Sequence, residues 1–399
     1  MRKKEQTMPR TLWLLVIGMF INVTGASFLW PLNTIYIHQH LGKSLTAAGF
    51  VLMLNSGANV IGNLCGGFLF DKIGGFKSVI LGIVITFASL SGLVFFHDWF
   101  AYIVLLAIAG FGSGVVFPAC YAMAGSVWPE GGRKAFNAVY VAQNAGVAVG
   151  SALGGIVASF SFAYVFFANA MLYAVFFAIA FFGFRHIRTE PAVQSTVLDH
   201  AAAGSGKSRF SALMLVCTGY LLGWVAYSQW SSTIASHTQE LGISLGKYSL
   251  LWTVNGALIV LGQPVIGLFV KRFAKSLKKQ IVIGFVIFIF AYGILFAAES
   301  FQAFLGAMIV LTLGEMLVWP AVPTIANRLA PRGKEGFYQG FVNSMATGGR
   351  MIGPLFGGML VDAFSMQVLL AVLIVLLLVS IGTAFLYERK EKQLSVHQD

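Results

Sequence analysis

The sequence predicts an all-α integral membrane protein of twelve transmembrane helices, arranged as two pseudo-symmetric six-helix bundles around a central cavity. Three observations support this fold class: the composition, the spacing of apolar segments and the placement of basic residues. Hydrophobic residues make up 58% of the 399 residues and charged residues 10%, whereas a soluble domain carries about a quarter charged residues. A chain so poor in charge cannot cover its surface against water, so much of its solvent must be lipid.

Twelve apolar segments are each long enough to cross a bilayer as a helix, which takes about 20 residues. The segments lie at 11–36, 46–69, 77–96, 99–123, 136–159, 162–184, 210–236, 246–270, 280–298, 301–326, 337–361 and 366–387. Basic residues precede the first segment, as in a signal peptide. That segment is too long for a signal peptide and eleven more follow it, so we expect a retained helix.

Lysine and arginine are distributed unevenly over the loops between these segments. Of the 26 basic residues, 23 fall in the alternate loops that include both termini, two (Lys43 and Lys247) fall in the other loops, and Arg350 lies inside a span. This asymmetry predicts a multi-pass protein of the plasma membrane with both termini in the cytoplasm. The net charge of +12 is therefore explained by topology and by contact with anionic lipids, not by binding to nucleic acid.

The chain is predicted to contain two domains, an N-terminal six-helix bundle at 1–186 and a C-terminal six-helix bundle at 210–399. Small and polar residues at 187–209 predict a flexible cytoplasmic linker between the bundles. The halves also repeat, because Phe117-Pro118-Ala119 recurs 202 residues later as Trp319-Pro320-Ala321.

A glycine pattern recurs as well, once in the fifth span and once in the eleventh. Its members are Gly146, Gly150 and Gly154 in the fifth span, and Gly349, Gly353, Pro354 and Gly357 in the eleventh. Two repeats in register indicate duplication. Small residues at this spacing predict close packing surfaces, along which one helix can rock past another. Parallel repeats are also the layout of one class of secondary transporter, which binds its substrate between the halves.

The loop after the second span, from Gly67 through Asp71 and Lys72 to Gly74, resembles the loop signature of the major facilitator superfamily. The glycine pattern of the eleventh span resembles the antiporter signature of that superfamily. The stretch from Tyr140 to Asn144 is similar to proton-coupled multidrug exporters of Gram-positive bacteria. Many of those exporters carry an Arg in the fourth span, whereas the stretch from 105 to 114 contains none.

The resemblance implies that Asp71 holds a cytoplasmic gate shut, with Gly67, Lys72 and Gly74 forming the rest of the gating loop. A carboxylate is stabilised at a helix N-terminus. The expected partners of Asp71 are therefore an end of the eleventh helix and the loop residues Arg133 and Lys134.

Glu315 is the predicted proton carrier. It lies about 24 Å from Glu299 and about 20 Å from Arg328 along the tenth span, at 1.5 Å per residue, and it is the only acid inside a predicted span. An ionised carboxylate at that depth costs about 2.5–3.5 kcal/mol. It can therefore take up and release a proton as the cavity opens to either side. The alternative is a static acid paired with a neighbouring side chain.

Arg350 lies at a similar depth in the eleventh span and has two possible roles. It can pair with Glu315, which would keep that carboxylate ionised. It can instead receive an anionic substrate through its planar, bidentate guanidinium group. The sequence leaves both roles open.

Polar and aromatic residues on several spans are candidates for the substrate cavity. Asn55 and Asn59 share one face of the second span. The other candidates are Gln143, Asn144, Trp224, Tyr227 and Trp319. Aromatic faces attract lipophilic cations by about 0.5–2 kcal/mol. Packing between helices or a place at the membrane interface is the alternative for each of these side chains.

These observations predict a monomeric secondary active transporter that exports lipophilic small molecules by proton-coupled alternating access, with its substrate, protons and membrane lipids as partners. A transporter of an anionic metabolite that uses Arg350, a lipid flippase, and a receptor or scaffold that transports nothing are the alternatives. The sequence contains no catalytic constellation, no metal-ligand spacing around its three Cys and no Gly-x-x-x-x-Gly-Lys-Ser/Thr loop. No enzyme activity, cofactor, metal site or direct use of ATP is therefore predicted.

Overall fold

A computed structural model describes residues 8–29, 33, 36–43, 45–96, 98–187 and 199–396, and nearly all of these residues are helical. The helices of eight or more residues are α1 Arg10–Leu29, α2 Leu45–Ile73, α3 Gly75–Phe95, α4 Trp99–Val127, α5 Arg133–Phe160, α6 Phe162–Gly183, α7 Asp199–Ser228, α8 Thr233–Glu240, α9 Leu245–Leu261, α10 Gln263–Arg272, α11 Leu277–Leu295, α12 Phe301–Leu329, α13 Glu335–Ala363 and α14 Met366–Val396. Short polar residues begin several of them. The side chains of Asp98, Ser161, Ser276 and Ser300, for example, accept from backbone N–H groups in the first turns of α4, α6, α11 and α12.

Ten stretches of the described chain are helical, long enough and apolar enough to cross a membrane. A bent pair, formed by α9 and α10, adds an eleventh if it is one span. The predicted eleventh span corresponds to α13, whose 29 residues reach about 44 Å at 1.5 Å per residue. Its many glycines and its three charged residues make this helix less apolar than its neighbours α12 and α14. The all-α membrane fold that the sequence predicts is confirmed.

Two predicted spans differ from the structure in detail. The helix that corresponds to the predicted span 210–236 begins earlier, at Asp199, the first residue of α7. It is interrupted after Ser228 by a short turn, which α8 follows. The residues 199–209, predicted as linker, are therefore helical, and the alanine run at 201–203 favours that state. The rest of the predicted linker, 188–198, lies outside the described residues.

The predicted span 246–270 is broken at Gly262 into α9 and α10, with a bend of 58°. Pro264 lacks the backbone N–H that a continuous helix would donate to the carbonyl group of Val260, so the hydrogen-bond ladder cannot pass this point unbroken. The side-chain amide of Gln263 donates to the carbonyl oxygen of Ile259 at 3.0 Å and satisfies one of the groups that the break affects.

The chain divides into two units. The first unit contains Met1–Val193 and Arg332–Ser344, and the second contains Gln194–Pro331 and Met345–Asp399. The predicted boundary at 187–209 stays a prediction. Within the first unit, α4 packs on α2 and α3, and α1 packs on α5 and α6. Within the second unit, α12 packs on α9 and α11, and α14 packs on α7 and α11. Three of these pairs, α2–α4, α3–α4 and α1–α6, thus recur in the second unit as α9–α12, α11–α12 and α7–α14, as the sequence repeat predicts.

The glycine stripes of the two units occupy equivalent places. In the first unit, a Cβ on Gly146 would lie 2.7 Å from the carbonyl oxygen of Phe20 in α1, and one on Gly150 would collide with the carbonyl oxygen of Thr24. In the second unit, a Cβ on Gly349 would lie 2.7 Å from the carbonyl oxygen of Leu221 in α7. Both stripes therefore let two backbones approach closely.

The stripes continue in the same manner further along both helices. A Cβ on Gly154 would lie 2.9 Å from the Cα atom of Phe28, and a Cβ on Gly353 or Gly357 would collide with Ser228 or Gln229. Gln229 also donates to the carbonyl oxygen of Gly353 at 2.7 Å, beside Pro354. The amide of Gln229, the residue after the end of α7, thus joins this end of α7 to α13.

Candidate functional site

Glu315 lies inside the second unit and is the only buried acid among the described residues, with 3% of its surface exposed. Two donors converge on its Oε2 atom, the hydroxyl of Tyr227 at 3.0 Å and the side-chain amide of Asn255 at 2.9 Å. The Asn255 amide also donates to the hydroxyl of Thr312 at 2.9 Å, and Thr312 donates in turn to the carbonyl oxygen of Met308. Helices α7, α9 and α12 thus each contribute to one hydrogen-bonded network around the carboxylate.

Aromatic rings surround the Tyr227 side of this network. We define the aromatic cluster as Tyr220, Trp224, Tyr227, Trp252, Phe288 and Trp319. Trp224 and Trp319 stack face to face, with ring centroids 4.5 Å apart and planes 6° from parallel. The ring of Tyr227 meets both indoles edge-on, at 5.3 Å from Trp224 and 5.7 Å from Trp319. One residue, Tyr227, therefore contacts the stacked indoles with its ring and the carboxylate with its hydroxyl.

Arg350 lies against the same cluster. The Cζ atom of its guanidinium is 4.8 Å from the ring centroid of Trp224, within the range of a cation–π contact. Its Nη2 atom donates to the hydroxyl of Thr347 at 3.3 Å. Arg350 is exposed, whereas Trp319 is buried. The structure therefore brings together the predicted residues Glu315, Arg350, Trp224, Tyr227 and Trp319 in one unit.

The predicted polar candidates of the first unit make contacts within their own unit. Asn55 and Asn59 in α2 donate to the backbone carbonyl oxygens of Leu106 and Gly110 in α4, at 2.6 and 3.0 Å. This geometry matches the packing alternative, in which an asparagine ladder holds two helices together. Their place in a substrate cavity remains a prediction.

The fifth-span candidates, Gln143 and Asn144, also contact neighbouring groups in the first unit. The hydroxyl of Tyr121 donates to the side-chain oxygen of Gln143 at 3.1 Å. Asn144 donates to the carbonyl oxygen of Tyr140, one turn earlier in α5, at 2.9 Å. Both side chains are partly buried, and their role in substrate binding stays a prediction.

Asp71 caps the start of α13 within the first unit. Its Oδ1 accepts from the backbone N–H of Gly336 at 2.8 Å and its Oδ2 from that of Phe337 at 2.9 Å. The first N–H groups of a helix have no partner inside the helix, and the helix dipole favours an anion there. Of the partners expected for Asp71, the N-terminal end of the eleventh helix is therefore one that it contacts.

Two glycines make this contact possible: Gly67, which lies within α2 and not in a loop as predicted, and Gly74, just after the end of α2. A Cβ on Gly67 would collide with the carbonyl oxygen of Gly336, so only a residue without a side chain lets α2 and α13 approach here. Gly74 has a φ of 85°, a conformation that residues with a side chain rarely adopt. It ends α2 and begins α3, which leaves Asp71 in the last turn of α2, facing α13.

The predicted basic gate residues differ in exposure. Lys72 is exposed, and its Nζ atom is 5.7 Å from the ring centroid of Phe68. Arg133 is half-buried and Lys134 is exposed, at the start of α5. Their part in gating stays a prediction.

Sequence reasoning missed Asn255, Thr312 and Tyr220, although each lies in the network or the cluster. One signal was present for Asn255, because the repeat places Asn55, Gly62 and Asn63 exactly 200 residues before Asn255, Gly262 and Gln263. Asn255 thus stands at the position equivalent to a predicted site residue. Nothing comparable marks Thr312, whose partners come from tertiary packing. Among the described residues, no group of three or more His, Cys, Asp and Glu side chains could hold a metal ion.

Comparison with known proteins identifies the family. The model of the Major Facilitator Superfamily matches residues 15–237 and 210–398. An uncharacterized MFS-type transporter of Bacillus subtilis, YttB, is 73% identical over 385 residues, which cover 96% of this chain and 97% of that protein. The multidrug resistance protein MdtH of Aeromonas hydrophila is 23% identical over 363 residues, covering 89% of this chain and 88% of that protein.

A solved structure has the same fold. The crystal structure of the human organic anion transporter MFSD10 superposes with a TM-score of 0.76, at 13% sequence identity, and covers 94% of this chain and 100% of that chain. At that identity the similarity concerns the fold alone. Proteins of this fold and family are transporters rather than enzymes. The chain therefore belongs to the Major Facilitator Superfamily and is a multi-pass membrane transporter of that family.

Proposed function

We propose that this transporter is a proton-coupled exporter of lipophilic small molecules, working as a monomer by alternating access in the plasma membrane, with both termini in the cytoplasm. The observation that carries the proposal is the buried carboxylate of Glu315, which shares Tyr227 with the aromatic cluster. A proton site and an apolar binding surface are thus linked by a single side chain. That link is what coupling between a proton and a lipophilic substrate requires.

The network around Glu315 supports proton exchange. Two donors on one oxygen stabilise the ionised form, because hydrogen bonds to a charged acceptor are the strong ones. Burial in an apolar bundle has the opposite effect and favours the protonated form. Because the two contributions oppose each other, a change in hydration or contact can move the proton. Alternating exposure of the site to the two sides of the membrane would supply that change.

The aromatic cluster supports a lipophilic substrate. Its stacked indoles and the surrounding rings offer large, flat apolar contact area, with few polar groups to specify a single ligand. The similarity to a multidrug resistance protein of Aeromonas hydrophila is in line with this class of substrate.

Asp71 and the two glycine stripes have supporting roles in the proposed cycle. The carboxylate of Asp71 would hold the start of α13 in one state and release it in the other. The stripes on α5 and α13 would let each helix rock against its neighbour, because the glycines carry no side chains of their own to interlock with it.

Glu315→Gln tests the proposal in liposomes that contain the purified protein and a trapped pH indicator. Gln keeps the shape of Glu and can still accept hydrogen bonds from Tyr227 and Asn255, so folding is retained. We expect the pH gradient to drive uphill movement of anilinonaphthalene sulfonate by the native protein. In the variant, both this movement and the accompanying proton flux should fall to the level of protein-free liposomes.

Glu299→Gln is the matched control, because Glu299 is an exposed acid just before the same helix, α12. This variant should keep full coupling. Undiminished uphill transport by Glu315→Gln would refute the assignment of Glu315 as the proton carrier. Downhill exchange of dye that persists in Glu315→Gln, without proton flux, would show that the binding site is intact and only coupling is lost.

A further inference from the structure

We propose that Arg350 sets the charge preference of the substrate site: its guanidinium covers the aromatic cluster as an internal cation, so that the site takes acidic and uncharged aromatic molecules and rejects lipophilic cations. This proposal rests on the transport function proposed above and names the substrate class of that site. It extends the role of anion receptor that the sequence leaves open for Arg350, because the guanidinium also covers an aromatic face.

The geometry of the stack is the first support. The guanidinium lies 4.8 Å from the ring centroid of Trp224, and Trp224 stacks on Trp319 at 4.5 Å with nearly parallel planes. Arginine, indole and indole thus form three consecutive layers. A lipophilic cation binds a protein through this same contact with an indole face. Arg350 therefore already makes the interaction that such a substrate would need.

The positive charge of Arg350 is the second support. A cationic substrate beside Trp224 would lie close to the guanidinium and be repelled by its charge. Arg350 lies near the middle of α13 and is exposed. A charged side chain at that depth faces a polar space rather than lipid, because lipid contact is costly. It is thus placed to meet a ligand.

The hydrogen-bonding groups of the cluster are the third support. Arg350 can only donate, and the hydroxyl of Thr347 orients it. The indole N–H of Trp319 is buried and has no acceptor among the described residues. A carboxylate, sulfonate or carbonyl oxygen would supply acceptors to such donors, whereas a quaternary cation has none. The site therefore matches acidic or neutral aromatic molecules in its charge and in its hydrogen bonds.

A pair of ions that share size and shape but differ in charge tests the proposal. Tetraphenylphosphonium and tetraphenylborate are titrated by calorimetry into the purified protein in uncharged maltoside micelles, with protein-free micelles as the blank. We expect the native protein to bind the anion more tightly than the cation. Arg350→Ala should tighten tetraphenylphosphonium binding by about threefold to about thirtyfold, the effect of one cation–π contact, and weaken tetraphenylborate binding.

Two further variants separate this role from a general change of the site. Arg350→Lys keeps the charge and should still reject tetraphenylphosphonium. Trp224→Leu combined with Arg350→Ala removes the half-buried indole that Arg350 covers and should abolish the gain in cation affinity. The proposal is overturned if the native protein binds the cation more tightly than the anion, or if Arg350→Ala leaves cation affinity within about twofold of native. It is also overturned if Arg350→Lys binds the cation as tightly as Arg350→Ala does. Because binding is measured without a gradient, absence of proton coupling would leave this readout unaffected.

Discussion

At the scale of single residues, the environment of Glu315 is asymmetric. Both Tyr227 and Asn255 donate to the same carboxylate oxygen, and Asn255 also donates to Thr312. Asn255, a residue of α9, is therefore held by two side chains of α12, those of Thr312 and Glu315. The position of the Tyr227 hydroxyl depends instead on where the Tyr227 ring lies in the aromatic cluster. A molecule that moves the indoles would displace Tyr227 before it displaces Asn255.

Tyr227→Phe tests whether this contact stabilises the protein as the geometry implies. The change removes one donor from a buried carboxylate, and we expect a loss of about 0.6–1.7 kcal/mol, which spans the average and the largest value measured for hydrogen bonds inside membranes. Unfolding by sodium dodecyl sulfate in mixed micelles measures the loss. In a Glu315→Met background the same change should cost almost nothing, because its partner is gone.

Tyr292→Phe is the control for that cycle. Its hydroxyl donates at 2.6 Å to the carbonyl oxygen of Ala226, away from Glu315. The cost of Tyr292→Phe should therefore be the same with Glu or Met at 315. A Tyr227→Phe effect that does not depend on residue 315 would mean that the hydroxyl stabilises something other than the carboxylate.

At the scale of helices, the glycine stripes determine which pairs come closest. Gly349 of α13 faces Trp224 and Leu221 of α7, and Gly150 of α5 faces Thr24 of α1. A residue with a side chain would force the backbones apart at these points. Not every glycine of these helices has this role, because Gly348 has nothing within 4 Å of the place that a Cβ would occupy.

Gly348 and Gly349 give a matched pair of neighbouring positions for a test. Gly349→Ala should destabilise the protein by about 1–3 kcal/mol through overpacking, since its Cβ would lie 2.6 Å from that of Trp224. Gly348→Ala should be neutral, or stabilising by up to about 1 kcal/mol, because alanine favours a helix. Thermal melting in detergent distinguishes the two variants. Equal effects would contradict a special packing role for Gly349.

At the scale of the whole molecule, the duplicated chain has kept the helix pairing of its two units while their chemistry has diverged. Glu315 lies 202 residues after Ser113, its equivalent in the repeat, so the ionisable group belongs to one unit only. The asparagine ladder of the first unit holds α2 to α4, whereas its counterpart Asn255 serves the carboxylate. The asparagine at this position thus packs two helices together in the first unit, as Asn55, and hydrogen-bonds a buried carboxylate in the second unit, as Asn255.

The proposed topology is tested with cysteines at the two ends of α12. After Cys65, Cys120 and Cys217 are replaced by serine, Glu299→Cys should react with a membrane-impermeant maleimide in intact cells. Lys334→Cys should react only after the membrane is opened. Both positions are exposed, so accessibility alone does not distinguish them. The reverse labelling pattern would invert the assignment of both termini to the cytoplasm.

Much of the architecture could be predicted from the sequence, because lipid solvent demands long apolar helices and glycine spacing survives duplication. Glu315 could be predicted for a related reason, since an acid is conspicuous in an apolar span. Its partners could not, because Thr312 and Tyr220 are unremarkable in their own helices and acquire a role only through tertiary packing. The sequence of α7 did not reveal its early start at Asp199, since glycines at 204 and 206 are more typical of loops.

The break at Gly262 has a mechanical consequence for the carboxylate network. Asn255 stands two turns before the break, in α9, while Gln263–Arg272 continue at an angle of 58° as α10. In a continuous helix, a tilt of the far end would move the side-chain amide of Asn255, which donates to Glu315. Because the helix is broken at Gly262, α10 can tilt while Asn255 keeps its hydrogen bond to the carboxylate.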